Sequence, residues 1–153
     1  RKQNALAREV KKPLMIHCRS YGKFSPGASP QAYEDCLKIL KEEHADEVGG
    51  DIHFFVGNRN VAQAFLDFGF HLSFTGVITL THDYDEMIKN IPIDRIMSET
   101  DSPYVAPKKY RGRRNEPLYV EEVIHRIAEI KGISFEEAAE TTTRNALNLF
   151  HLS

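Results

Sequence analysis

Four residues with the chemistry of metal ligands stand at the downstream ends of three short, largely apolar runs. They are His17 after Leu14-Met15-Ile16, His53 after Asp51-Ile52, and Glu99 and Asp101 after Arg95-Ile96-Met97-Ser98. Side chains alternate across a strand, so Met15, His17 and Arg19 share one face, and so do Asp51, His53 and Phe55. The same arithmetic puts Arg95, Met97, Glu99 and Asp101 on one side, with Ile96, Ser98 and Thr100 opposite. Two imidazoles with carboxylates suit a divalent ion: magnesium or manganese in carboxylate-rich company, with zinc as the alternative. Such an ion generates hydroxide near neutral pH and polarises a phosphoryl or carbonyl oxygen. Taken singly, each histidine is better explained as a polar strand-end residue making a hydrogen bond. Three strand ends with ligand-type residues on the same face favour one shared centre. Cys18, beside His17, is pointed the other way by alternation.

The segment Lys108-Lys109-Tyr110-Arg111-Gly112-Arg113-Arg114 follows the acidic strand end and concentrates cations. Arginine adds bidentate geometry toward phosphate, and Gly112 permits close backbone approach. A solvated surface loop is the alternative, but the position over the candidate metal site favours phosphate binding. Asn115 is expected to cap the next helix, with Pro117 in its first turn. His44, His71, His82, His125 and His151 show no comparable convergence. The phenylalanines between Phe54 and Phe74 have core periodicity.

The elements that must position these groups alternate. Strands are expected at 14–18, 51–55, 70–74 and 94–99. Helices are expected at about 4–10, 30–43, 58–68, 83–90, 117–131 and 134–150, the last opened by Ser134 with Glu137 at the reciprocal capping position. Residues 20–29 read as an irregular loop. Alternation implies a parallel α/β sheet, because parallel neighbours need long crossovers. Polar residues at the C-terminal strand ends tip the reading toward a (β/α)8 barrel, whose catalytic groups collect on that face. Four units are half of one, and residues 1–153 are read as a single domain, a half-barrel. At 153 residues, 41% hydrophobic and with a net charge of -2, the chain can bury one core and is not a wholly basic nucleic-acid binder. No apolar run is long enough to span a membrane, and the basic start is not followed by a signal-peptide core. Two cysteines outside any C-x-x-C pair fit a reducing compartment, so a cytoplasmic location is expected.

With PLMIHCR, GDIHFFVGN, GFHLSFTGVIT, IPIDRIMSETDSPYVAP, YRGRRNEPLYV and TTTRNALNLF in this order, the sequence resembles the TatD family of metal-dependent deoxyribonucleases, amidohydrolase-like TIM-barrel hydrolases. ETDSPYVAP followed by RGRRNEP is the most specific part. The resemblance implies that His17, His53 and Asp101 are metal ligands, that Asp101 also orients or activates the attacking water, and that Glu99 supports the catalytic site. It makes Arg19, Arg111, Arg113 and Arg114 candidates for the phosphates of a DNA substrate. The implied reaction is metal-assisted phosphodiester hydrolysis.

The sequence departs from the family pattern in two places. Tyr21-Gly22-Lys23 and a longer Gly/Pro loop stand where a small and an acidic residue commonly follow the first histidine. The H-x-H pair of the family's first strand and the Glu of its fourth are not in this sequence, which aligns from the helix before the fifth strand. Pairing with an N-terminal half, or self-association through unpaired sheet edges, is therefore expected to complete the site. The competing readings are an amidohydrolase acting on a small ester or amide, which would gain little from Arg111 to Arg114, and an inactive half-barrel that binds metal or nucleic acid without cleavage.

Overall fold

The computed structural model describes residues 1–19 and 30–152. The expected loop at 20–29 lies outside the described residues. Helix α1 (Lys2–Glu9) leads to strand β1 (Leu14–His17), then α2 (Gln31–Glu42), β2 (Gly50–His53), α3 (Arg59–Asp67), β3 (His71–Phe74), α4 (Asp85–Asn90), β4 (Ile96–Ser98), α5 (Val120–Lys131) and α6 (Phe135–Phe150). The four strands form one sheet in chain order, β1-β2-β3-β4, with every pairing parallel. The register sets His17 directly beside His53.

One face of this sheet is apolar because the period-2 pattern makes it so: Ile52, Leu72, Phe74 and Ile96 are fully buried among Leu40, Phe65, Ile88 and Ile127 from the helices. The phenylalanines at 54, 55, 65, 70 and 74 are all in this core, as their periodicity predicted. The opposite face carries Met15, His17, Asp51, His53, Ser73 and Glu99. Gly50 opens β2 where nothing larger fits, since a Cβ there would stand 2.6 Å from the carbonyl oxygen of Leu14 and 2.5 Å from the Phe70 ring.

Most boundaries fall one or two residues inside the expected spans, and the causes are local. Strand β2 stops at His53 because Phe54 takes a left-handed conformation, φ 53°, which also breaks the alternation and sends Phe55 into the core rather than onto the face of His53. Strand β4 begins at Ile96, after a 3-10 turn at Ile93–Arg95. A second 3-10 turn at Pro117–Tyr119 occupies the expected first turn of α5, with Pro117 in it as predicted. Asn58 caps α3 by accepting from the Val61 N–H at 3.0 Å, and Ser134 caps α6 by accepting from Glu137 N–H at 3.0 Å.

Asn115 does something other than the expected capping. It is buried, and its Nδ2 donates to the carbonyls of Thr100 (2.7 Å) and Tyr104 (2.6 Å), with Val105 at 3.3 Å. Helix α5 has no side-chain cap. Asn115 instead clamps the turn that carries Asp101, because the carbonyls of that turn have no ladder to join and need a donor. Asn145 does the same for the start of β4, donating from α6 to the carbonyls of Ile93 and Ile96, both at 2.8 Å.

Candidate metal centre

The C-terminal strand ends gather His53, Glu99 and Asp101. His53 Nδ1 is ion-paired with Glu99 Oε2, and its Nε2 stands 3.3 Å from Asp101 Oδ1. Asp101 reaches this place from a left-handed backbone, φ 56°, just past the end of β4. Aspartate tolerates that region better than most residues. His17 lies alongside, its ring centroid 5.6 Å from that of His53 and tilted by 46°.

Glu99 is built in rather than free. Its Oε1 accepts from the Phe54 backbone N–H at 2.7 Å and from the Ser73 hydroxyl at 2.6 Å. Burial works against its charge, but the contacts with His53 and Ser73 win and hold its carboxyl below the ordinary range. His53 is raised above the usual imidazole value by the same contact with Glu99, against the effect of burial. The Ser73 oxygen is also 2.8 Å from Asp51 Oδ2. One hydroxyl hydrogen cannot serve two carboxylates, so one of the pair carries the proton. Burial of Asp51, 1% exposed, pushes its carboxyl up to about 7, with the charge of Glu99 adding to the effect. A protonated Asp51 donates to Ser73, which donates to Glu99, which accepts from His53. Glu99 thereby fixes the His53 ring with Nε2 facing Asp101, the carboxylate–histidine arrangement that orients metal ligands.

The donors fit a divalent ion in type, since His53 Nε2 and Asp101 Oδ1 are at the mutual spacing of two ligands of one ion. In number they are incomplete: among the described residues, no group of three His, Cys, Asp or Glu stands arranged to hold a metal. Arg111, Arg113 and Arg114 are exposed in the loop after Asp101, which is strapped down where Tyr110 stacks on Tyr119 at 3.7 Å. Arg114 lines a recess of about 310 Å³ with Ser102, Pro103 and Asn115. Lys109 is engaged elsewhere, donating to Glu122 at 2.6 Å. Arg19 is exposed at the end of β1, and the Tyr21-Gly22-Lys23 departure lies outside the described residues. A cavity of about 700 Å³ beside α5, lined by His82, Lys108, His125 and Arg126, shares no residue with this centre.

The part played by Ser73, and that of Asp51 beneath it, was not anticipated. The signal was present: Ser73 is a polar residue on the same face as His71 in a strand whose Leu72 and Phe74 are core, and Asp51 shares the face of His53.

A run of parallel (β/α) units with histidines and carboxylates at the C-terminal strand ends is the arrangement of a barrel hydrolase. The chain belongs to the TatD related DNase family, whose model matches residues 1–151. It is 44% identical over 155 residues to the uncharacterized metal-dependent hydrolase YabD of Bacillus subtilis, covering 100% of this chain and 56% of that protein. It is 33% identical over 158 residues to the 3'-5' ssDNA/RNA exonuclease TatD of a Rahnella species, covering 99% of this chain and 56% of that protein. The crystal structure of YJJV, a TatD homologue from Escherichia coli, superposes with a TM-score of 0.84 at 22% identity over 99% of this chain and 55% of the other, so the partial-barrel fold is shared. The chain thus spans about half the length of the relatives it matches.

Proposed function

We propose that this chain supplies the C-terminal half of a metal-dependent phosphodiesterase acting on DNA. The observation that carries the reading is the Glu99–His53–Asp101 constellation, with exposed Arg111, Arg113 and Arg114 in the loop that follows it. His53 and Asp101 would hold the ion, with His17 adjoining. When bound there, a divalent metal supplies Lewis acidity and a hydroxide nucleophile. The protein's own groups do the rest: Glu99 holds His53 in one tautomer, Asp101 orients the attacking water, and the arginines neutralise and position phosphate. The family membership and the name of the Rahnella relative support this substrate class.

The test is incubation of the purified chain, alone and mixed with an N-terminal half that carries the H-x-H pair, with end-labelled single-stranded DNA and magnesium or manganese, with EDTA and Asp101→Ala controls. Cleavage lost in EDTA and lowered about a hundredfold or more in the variant is expected of a general-base or water-orienting residue. Arg113→Glu with Arg114→Glu should remove most turnover on DNA while sparing a small phosphodiester. Equal loss on both substrates contradicts a polyanion site. A second reading is favoured by the absence of a gathered three-ligand set among the described residues: binding without cleavage. Salt-dependent DNA retention with intact label under every divalent ion, also with the N-terminal half present, would select it.

A further inference from the structure

Cys18, just past β1, and Cys36, on α2, belong to no part of the centre described above. Both are free thiols, Cys18 buried and Cys36 partly exposed. Both line one open cavity of about 550 Å³ between β1 and α2, together with Ala32, Asp35 and Ile39. Cys18 donates to the Ala32 carbonyl at 3.3 Å, and Ala32 stands one helical turn before Cys36 on α2, so both thiols lie at the same turn of that helix. Alternation turns Cys18 away from His17 and toward α2, and the helical spacing of α2 points Cys36 back at it, so the contact follows from the fold.

We propose that Cys18 and Cys36 form a redox-active dithiol that closes to an intrachain disulfide under peroxide and reopens under thiol reductants. The two thiols are unequal. Cys18 is buried and Cys36 partly exposed, so Cys36 meets the peroxide first and is the attacking group. Its sulfur displaces one oxygen of hydrogen peroxide, giving a sulfenic acid and water. The Cys18 sulfur then attacks the Cys36 sulfur, and the sulfenic oxygen leaves as a second water. Two thiols and one peroxide become one disulfide and two waters. Two molecules of a monothiol such as glutathione reverse the bond and are themselves joined.

The experiment treats the folded chain with hydrogen peroxide and quenches remaining thiols with an alkylating agent. Intact mass should fall by two hydrogens with no alkyl group added. The non-reducing peptide map should join the Cys18 and Cys36 peptides within a monomer, and reductant should restore both thiols. In Cys18→Ser, Cys36 should be trapped as a dimedone adduct, whereas Cys36→Ser should leave Cys18 unmodified. Two alkylatable thiols after treatment of a chain that keeps its circular dichroism spectrum would overturn the proposal. So would disulfides found only between molecules, or oxidation of Cys18 in preference to Cys36. None of these readouts involves DNA or metal, so the outcome is independent of the function proposed above.

Discussion

Asp51 is the residue whose environment differs most from what its position in the sequence suggests. Its folded-state value of about 7 lies above the ordinary 3.8, so the folded protein binds more proton than the unfolded chain between roughly pH 4 and 7 and loses stability as pH rises through that window. The full span is worth on the order of 4 kcal/mol. His53, raised above its ordinary value, acts in the same direction, its contribution present below that value and lost as pH rises through the folded one. Asp51→Asn removes only the first share. The urea midpoint of the metal-free variant should therefore fall less between about pH 5 and pH 8 than that of the parent, and equal falls would disprove the assignment. Glu99→Gln keeps the shape of the carboxylate but not its pull on His53 Nδ1. A loss of about 10- to 100-fold in divalent-metal affinity by calorimetry is expected, and unchanged affinity would show that His53 needs no such support. His17, His53 and Glu99 were legible as candidates because strand alternation places them on one face, whereas Asp101, counted onto that face by the same alternation, reaches it through a left-handed turn past the end of β4. The proton shared beneath them was not, because it depends on Asp51 and Ser73 standing across neighbouring strands, a relation set by register rather than by spacing along the chain.

Elements here are cut short and tied down by asparagines and left-handed residues more than by caps. The sequence pattern located four strands and six helices because core positions repeat at 2 and 3.6 residues, but it overran the strand ends. A left-handed Phe54 or Asp101 is fixed by what its neighbours bond to, and no local residue preference announces it in a phenylalanine. Asn115 shows the same limit: an asparagine before a proline-led helix looks like a cap, and only the folded loop reveals three waiting carbonyls. Asn115→Ala leaves them buried or rehydrated, at a cost of about 1–3 kcal/mol. Hydrogen exchange should quicken across 100–105 while α5 is unaffected, whereas fraying of α5 instead would restore the capping role. Asn145→Ala should act at the other end of β4 by a similar amount, loosening α6 from residues 93–96.

The molecule as a whole is a sheet with two outer strands, β1 and β4, each paired on one side only among the described residues. Met15 stands 62% exposed on the first of these. Unpaired parallel strands are templates for association, so light scattering is expected to show oligomers that grow with concentration, and a monodisperse monomer at every concentration would refute this. The half-barrel reading came from counting units, and the structural likeness to about half of a longer homologue agrees with it. The strictly sequential order of the sheet has another consequence, one of timing. Among the described residues β2, β3 and β4 each pair with the strand made just before them, so none of these three pairings has to wait for a distant segment. On a ribosome, β2 can dock on β1 once α2 has emerged, and each later unit can add in turn. A growing chain of this topology assembles in the direction in which it is synthesised.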